Sequence, residues 1–285
     1  MSFITSKTMN SNPYQLALLR KGKPLFVPFV VLGDPDRKLS VQMIRTLVES
    51  GADALELGFP FSDPPADGPV IQVADTRALK AGITVDDCFG ILREVRAFTT
   101  IPIGLLIYFN LILQRGIEKF YQDCRECGVN SVLVADLPLE HAQEVVPIAK
   151  SHRIAPVFLV SEVTTDERME KIAEIAEGYL YIVSYLGVTG ITDVVFGEKI
   201  RETIRRARKY SSLPLIVGFG INTPEQVRAV TQAGADGVIV ASRIVKEIPN
   251  VQKIAEICRA MRASIILPAV EIPEFLFSSS SHDHL

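Results

Sequence analysis

An α/β chain closed into a (β/α)8 barrel is the fold that three features of this sequence predict. Short, continuous apolar runs alternate with longer stretches whose apolar residues fall at helical spacing. The alternation repeats eight times within 285 residues, and no segment rich in Gly, Ser or charge interrupts it. Runs that are apolar throughout suit strands buried on both faces, and parallel strands need helical crossovers between them. An open doubly wound sheet shows the same alternation, but eight units in this length fit a closed barrel better.

A helix is predicted around Tyr14 to Lys21, ahead of the first run, where it can cover the bottom of the barrel. The first strand, PLFVPFVVLGD, is followed by the helix VQMIRTLVESG, and the second, ADALELGFP, by VIQVADTRALKAG and DDCFGILREVRAF. IPIGLLIYFN then precedes IEKFYQDCRECG, SVLVADLP precedes EHAQEVVPIAKSH, and APVFLV precedes ERMEKIAEIAEG. The last three units are YLYIVSY with EKIRETIRRARKY, PLIVGFG with PEQVRAVTQAG, and ADGVIVAS with KEIPNVQKIAEICRAMR. Val227, Val230 and Ala233 illustrate the helical spacing, and Gly51, Gly128 and Gly234 stand where helices should stop. One domain is expected over residues 1–285, with the TIM barrel at about 13–264. The tail 265–285, IILPAVEIPEFLFSSSSHDHL, matches no unit and is expected to be partly disordered.

Composition removes several function classes. A net charge of −3 and a pI near 5.9 leave no default electropositive surface for nucleic acid or an anionic membrane. MSFITSKTMNSNPYQ lacks the basic-then-apolar layout of a secretory signal. The most apolar stretch, IPIGLLIYFNLIL (101–113), falls short of the roughly 20 residues a bilayer span takes. A cytoplasmic protein is expected. Cys124 and Cys127 form the one CxxC, without a second pair or a nearby histidine, so structural cysteines near a helix end are expected rather than a metal site.

Barrel chemistry belongs at the C-terminal mouth of the strands. The residues ending the apolar runs there are Asp34, Glu56, Tyr108, Asn110, Asp136, Tyr181, Gly218, Gly220, Ala241 and Ser242. Glu56 alternates with Ala54 and Gly58. If that face points inward, the carboxyl sits in an apolar interior with its pKa raised, which suits proton transfer near neutral pH. The plainer alternative is a structural glutamate paired with backbone or a cation. Four prolines in ELGFPFSDPPADGP (56–69) force a loop after it and stiffen that loop. Asp63 there reads as an Asx turn; Asp67 reads equally as a turn residue or as a carboxylate presented over the mouth. Glycines in VGFGIN, paired with ADGVIVAS, fit a phosphate site of bare backbone N–H groups. Arg243, a cation in a first helical turn, points to a nearby anion or simply lies on an exposed turn. YLGVTGITDVVFGE, with Gly187, Gly190 and Gly197, reads as a lid.

Together these residues resemble the tryptophan synthase alpha chain family. The carriers are FVPFVVLGDP (26–35), GADALELGFPFSDPPADGPVIQ (51–72), SVLVADLP (131–138), GVTG (187–190) and GFGINTPEQV (218–227). The likeness covers about residues 13–262, and other phosphate-binding barrels share the seventh and eighth strand ends but not the 56–69 stretch. The resemblance implies cleavage of indole-3-glycerol phosphate to indole and glyceraldehyde 3-phosphate, a lyase step in tryptophan biosynthesis, without a cofactor or metal. It implies a beta chain partner in an α2β2 heterotetramer, receiving the indole. Glu56 is then the acid–base group, Asp67 the holder of the indole N–H, and Tyr181 the tyrosine near Glu56. The same resemblance puts Phe29, Tyr108 and Phe219 beside the substrate. Thr189 and Gly190 are then the lid contacts, and Gly220, Ala241 and Ser242 the phosphate site.

Three positions depart from that family's pattern: Ala241 stands for the usual glycine, Tyr185 for an arginine and Pro65 for a leucine. Ala241 would crowd a phosphate if its backbone needed positive φ, and Arg243 is the residue that could restore the charge lost at 185. A rival reading keeps the fold as an activator of the beta chain that cleaves poorly. A third, a different phosphate-sugar enzyme on this fold, sits badly with the 56–69 stretch.

Overall fold

In a computed structural model of the chain, residues 12–184 and 193–265 are described, the side chains of 193–197 excepted. Eight parallel strands close on themselves in sequence order, β1 (Leu25–Val31), β2 (Leu55–Gly58), β3 (Ile103–Ile107), β4 (Ser131–Val134), β5 (Ala155–Val160), β6 (Leu180–Val183), β7 (Leu215–Gly218) and β8 (Gly237–Val240). Closure comes from β1 against β8, with Leu25 opposite Gly237 and Pro28 opposite Val240. β1, β2, β7 and β8 are buried at every position, as continuous apolar runs require when helices cover the outside.

Among the described residues, twelve α-helices surround the strands: α1 (Pro13–Lys21), α2 (Arg37–Glu49), α3 (Pro69–Lys80), α4 (Val85–Arg96), α5 (Phe109–Arg115), α6 (Ile117–Glu126), α7 (Val146–Ser151), α8 (Asp166–Ile175), α9 (Asp193–Tyr210), α10 (Pro224–Gln232), α11 (Ser242–Val245) and α12 (Val251–Ala263). Local sequence explains the ends. Thr84 and Thr223 form capping boxes with Asp87 and Gln226, satisfying first-turn N–H groups of α4 and α10. Gly51, Gly128 and Gly234 follow α2, α6 and α10 with positive φ, where other residues are strained.

Three segments differ from expectation. EHAQEVVPIAKSH is a 3-10 turn (Leu139–Glu144) followed by α7, because Pro147 can open a helix but cannot continue one. The apolar run after β3 continues into a separate helix, α5, whose first N–H, on Phe109, donates to Asp136 at 2.7 Å. The stretch before α12 is likewise outside that helix, which starts at the Asn250 cap.

α1 covers the bottom of the barrel as predicted. The Asn12 amide donates to the Gly178 carbonyl at 2.6 Å, just below β6. Tyr14, 1% exposed, brings its hydroxyl within 2.6 Å of Ser131 Oγ at the start of β4 and packs its ring edge-on to Tyr179. Cys124 and Cys127 are buried, and burial pushes both thiols up, away from the reactive thiolate. Among the described residues no helix is long and apolar enough to cross a membrane. The 265–285 tail lies outside the described residues beyond Ile265.

Because Tyr14 plugs the barrel floor, Tyr14→Ala is expected to cost about 3–5 kcal/mol, as large-to-small core changes of aromatic residues do. Leu19→Ala, on the exposed side of the same helix, should stay within about 0.5 kcal/mol. Urea unfolding midpoints of the two variants check this.

Candidate active site

The mouth of the barrel encloses a cavity of about 670 Å³ including its open entrance, a size that suits a small-molecule ligand. Eight of the predicted site residues line it. Phe29 and Glu56 come from β1 and β2, Asp67 from the proline-rich loop, and Tyr181 from β6. Phe219, Gly220, Ala241 and Ser242 come from the ends of β7 and β8. Tyr108 joins them through Asp67 rather than through the cavity wall.

Glu56 stands in register with Phe29 on β1 and Gly104 on β3, with 1% of its surface exposed. A Cβ on Gly104 would lie 2.9 Å from Ser131 Oγ and 3.0 Å from the Tyr14 hydroxyl. The missing side chain therefore leaves room for hydroxyls beneath Glu56. One of them, on Tyr179, donates to Glu56 Oε1 at 3.1 Å. Burial pushes the Glu56 carboxyl up to about 8; the Tyr179 bond opposes that shift and the charge of Asp67 adds to it. A carboxyl that is mostly neutral at pH 7 and loses its proton just above can act as acid and then as base. Sequence reading singled out Tyr181 and passed over Tyr179, though the period of a strand puts both on one face.

Asp67 has a different setting. The Tyr108 hydroxyl donates to its Oδ2 at 2.6 Å and accepts from the Ala66 N–H at 3.3 Å. Burial raises the Asp67 pKa and the Tyr108 bond lowers it. The Tyr108 ring stacks on Phe61 with centroids 5.0 Å apart, so one residue holds the loop by three contacts. Asp63 accepts from its neighbour Ser62 and is exposed, in keeping with a turn residue.

The opposite strand ends shape the rest of the cavity. Phe219 takes φ 66°, a conformation rare for an aromatic residue and characteristic of functional turns. Its ring meets that of Tyr181 at 5.6 Å, and Ser184 Oγ donates to the Gly218 carbonyl at 2.8 Å. Gly218 has no room for a side chain, since a Cβ there would fall 2.0 Å from the Tyr181 hydroxyl. Ala241 has φ −112°, so the concern that its position requires glycine does not hold. The guanidinium of Arg243 is paired with Glu247 one turn on, and no lysine or arginine lines the cavity among the described residues. Arg243 is therefore not a free cation of the site.

Some mouth residues turn out to be structural. Asp34 forms a two-pronged pair with Arg77 of α3 at 2.7 and 2.6 Å, and Asp136 caps α5. Thr189, Gly190, Gly187 and Tyr185, with the lid assigned to them, lie outside the described residues. Sequence reading missed Ile71, Leu106, Ile221 and Ile239 in the apolar lining and Asn222 and Gly68 at the rim. For Leu106 the signal was present, two residues after Gly104 on the inward face of β3.

Comparison with known proteins places this mouth in context. The sequence model of the family "Tryptophan synthase alpha chain" matches residues 16–266. The tryptophan synthase alpha chain of Methanothermobacter thermautotrophicus is 48% identical over 247 residues, 84% of this chain and 91% of that one. That of Shewanella oneidensis is 44% identical over 278 residues, 93% of this chain and all of the other. Among solved structures, tryptophan synthase subunit alpha of Legionella pneumophila superposes with a TM-score of 0.82 at 36% identity, covering 90% of this chain and 98% of that one. A chain of the tryptophan synthase complex of Pyrococcus furiosus reaches 0.77 at 34% identity, covering 85% and 98%.

The burial of Glu56 has a thermodynamic signature. Its folded pKa is raised from 4.5 to about 8, so the stability it supports is full below the unfolded value and is lost as pH rises through the folded one. The slope reaches about 1.4 kcal/mol per pH unit inside that window. Glu56→Gln should therefore gain stability relative to the parent between about pH 5 and about pH 8. Denaturant unfolding at both ends of the window checks this, and equal pH dependence of the two proteins would contradict a neutral buried carboxyl.

Proposed function

The chain belongs to the tryptophan synthase alpha chain family, and on that premise we propose how its mouth cleaves indole-3-glycerol phosphate to indole and glyceraldehyde 3-phosphate. The observation that carries the reading is a buried carboxyl poised near 8, on Glu56, sharing one cavity with a second carboxyl, on Asp67. The pair has the two environments that an acid–base group and a charge-stabilising group need.

Glu56 in its neutral form gives its proton to C3 of the indole ring. Tyr179 occupies Oε1, so the exchangeable proton belongs to Oε2. Protonation at C3 leaves a cationic indolenine, whose N–H donates to the carboxylate of Asp67. Glu56, now charged, takes the proton of the glycerol hydroxyl on the carbon attached to C3. As that proton leaves, the O–H electron pair forms the aldehyde carbonyl. The C–C bond breaks, and its electrons return to the indole ring. Glu56 ends protonated, ready for the next substrate.

Phe29 and Phe219 flank the ring, Tyr181 closes the cavity beside Glu56, and Tyr108 keeps Asp67 aimed at the indole N–H. Backbone N–H groups at Gly220, Ala241 and Ser242 receive the phosphate. Thr189 and Gly190 are assigned to lid closure by the family resemblance. The released indole goes to a beta chain in an α2β2 assembly. That reading is supported by the structural likeness to a chain of the Pyrococcus furiosus complex and by the exposed apolar side chains of Val73 on α3 and Leu113 on α5 near the mouth. We place the whole activity in one barrel domain of about residues 13–264 in the cytoplasm.

Indole release by the purified chain, alone and with a tryptophan synthase beta chain, tests this. Cleavage should rise on adding the beta chain and fall by at least about 10²-fold in Glu56→Gln and in Asp67→Asn. No cleavage in either condition, with the beta reaction still stimulated, would instead make the chain an activator. Tyr108→Phe, which removes the donor to Asp67, should lower kcat by about tenfold, consistent with the loss of one hydrogen bond to a charged group.

A further inference from the structure

β7 passes to α10 through a turn in which two successive residues take left-handed backbone, Phe219 with φ 66° and Gly220 with φ 72°. Three consecutive carbonyls of that turn have donors. The Gly218 carbonyl accepts from the Ser184 N–H at 3.0 Å and from Ser184 Oγ at 2.8 Å. The Phe219 carbonyl accepts from the same Oγ, and the Gly220 carbonyl accepts from the Asn222 side-chain amide at 2.9 Å. Ser184 follows β6 directly and is 3% exposed. It does not line the cavity, whereas Phe219, Gly220 and Asn222 do.

A trans peptide unit is planar, with its C=O and N–H pointing in opposite directions. Holding the Phe219 carbonyl therefore sets the direction of the Gly220 N–H as well. The Gly218 carbonyl keeps the Ser184 N–H with or without the hydroxyl. The Phe219 carbonyl has no donor but Ser184 Oγ among the described residues. Glycine accepts either sign of φ at little cost, so Gly220 by itself does not stop the unit between it and Phe219 from turning over. Turned over, that unit puts a carbonyl oxygen where the N–H had pointed. No lysine or arginine lines the cavity among the described residues, so an anion there depends on backbone N–H groups.

We propose that Ser184 is a positioning residue for the phosphate end of the substrate: its hydroxyl holds the Phe219 carbonyl away from the cavity and so keeps the Gly220 N–H aimed at the phosphate. The hydroxyl acts through the turn and touches no substrate atom. Its effect falls on binding rather than on proton transfer, because Glu56 and Asp67 take their hydrogen bonds from Tyr179 and Tyr108, away from this turn. The inference rests on the assignment of the phosphate to the ends of β7 and β8.

The test compares the full chain with Ser184→Ala and Ser184→Thr, each with the beta chain, by the kcat and KM of indole-3-glycerol phosphate cleavage. Ser184→Ala should raise KM about tenfold and leave kcat within about twofold, and Ser184→Thr, which keeps the hydroxyl, should restore KM to within about threefold of the parent. Calorimetric titration separates the two ends of the substrate: Ser184→Ala should bind glyceraldehyde 3-phosphate about tenfold more weakly and indole within about twofold of the parent. A crystal structure of Ser184→Ala gives a readout independent of activity. The Phe219 carbonyl should be turned over or split between two orientations there, and held in one in the parent. A parental KM in Ser184→Ala overturns the proposal, as does a Phe219 carbonyl that keeps its orientation without the hydroxyl. If the parent itself does not bind glyceraldehyde 3-phosphate while the carbonyl turns as expected, the assignment of the phosphate has failed and the hold of Ser184 on the turn has not.

Discussion

Taking a carboxyl group out of water is costly when it is charged, and the barrel mouth is organised around one that has been taken out almost completely. Glu56 tolerates its site because it can be neutral there. Beneath it Gly104 clears the space and α1 seals the floor with Tyr14 against Ser131, which keeps water out, while the one hydrogen bond that Tyr179 donates favours the charged form and tempers the shift. In the proposed mechanism the same desolvation that raises the pKa supplies the reactivity, since a group held near 8 exchanges its proton readily in both directions at physiological pH. Apolar lining and acid–base chemistry are thus one design rather than two.

The second carboxyl needs the reverse treatment. In the proposed mechanism Asp67 holds charge; it sits at the rim on a loop, with a phenolic donor on its oxygen. A rim loop is ordinarily mobile, and mobility would blur the distance between the two carboxyls. Prolines at 60, 64, 65 and 69 reduce the freedom of the backbone. Tyr108, directly after β3, then ties it down through Asp67 and the Ala66 N–H. The stiffness of the segment has its physical reason in the placement of a single oxygen atom.

Much of this was legible without coordinates. Eight apolar runs of strand length, each followed by helical periodicity, leave few ways to bury both kinds of face, and the closed barrel is the most economical. The two-residue period of a strand put Glu56 on one face with Ala54 and Gly58, and the structure turns that face inward. What failed did so for local reasons. α5 was hidden because an apolar run can continue from strand to helix without a change of composition. α7 was drawn too long because periodicity was allowed to run through Pro147. Arg243 read either as answering an anion or as an exposed arginine, and Glu247, one helical turn away, pairs with it.

The sequence by itself determined the architecture, the two carboxyls and the stiff loop between them, because periodicity, proline content and family-specific motifs are properties of the chain read in one dimension. Tertiary structure alone decided which hydroxyl reaches Glu56, which group holds Asp67, and that Ala241 needs no glycine geometry. Those contacts join residues up to 123 positions apart, as between Glu56 and Tyr179. Their existence depends on strand register and on which side chain is absent at Gly104, and neither is written in the local sequence of either partner.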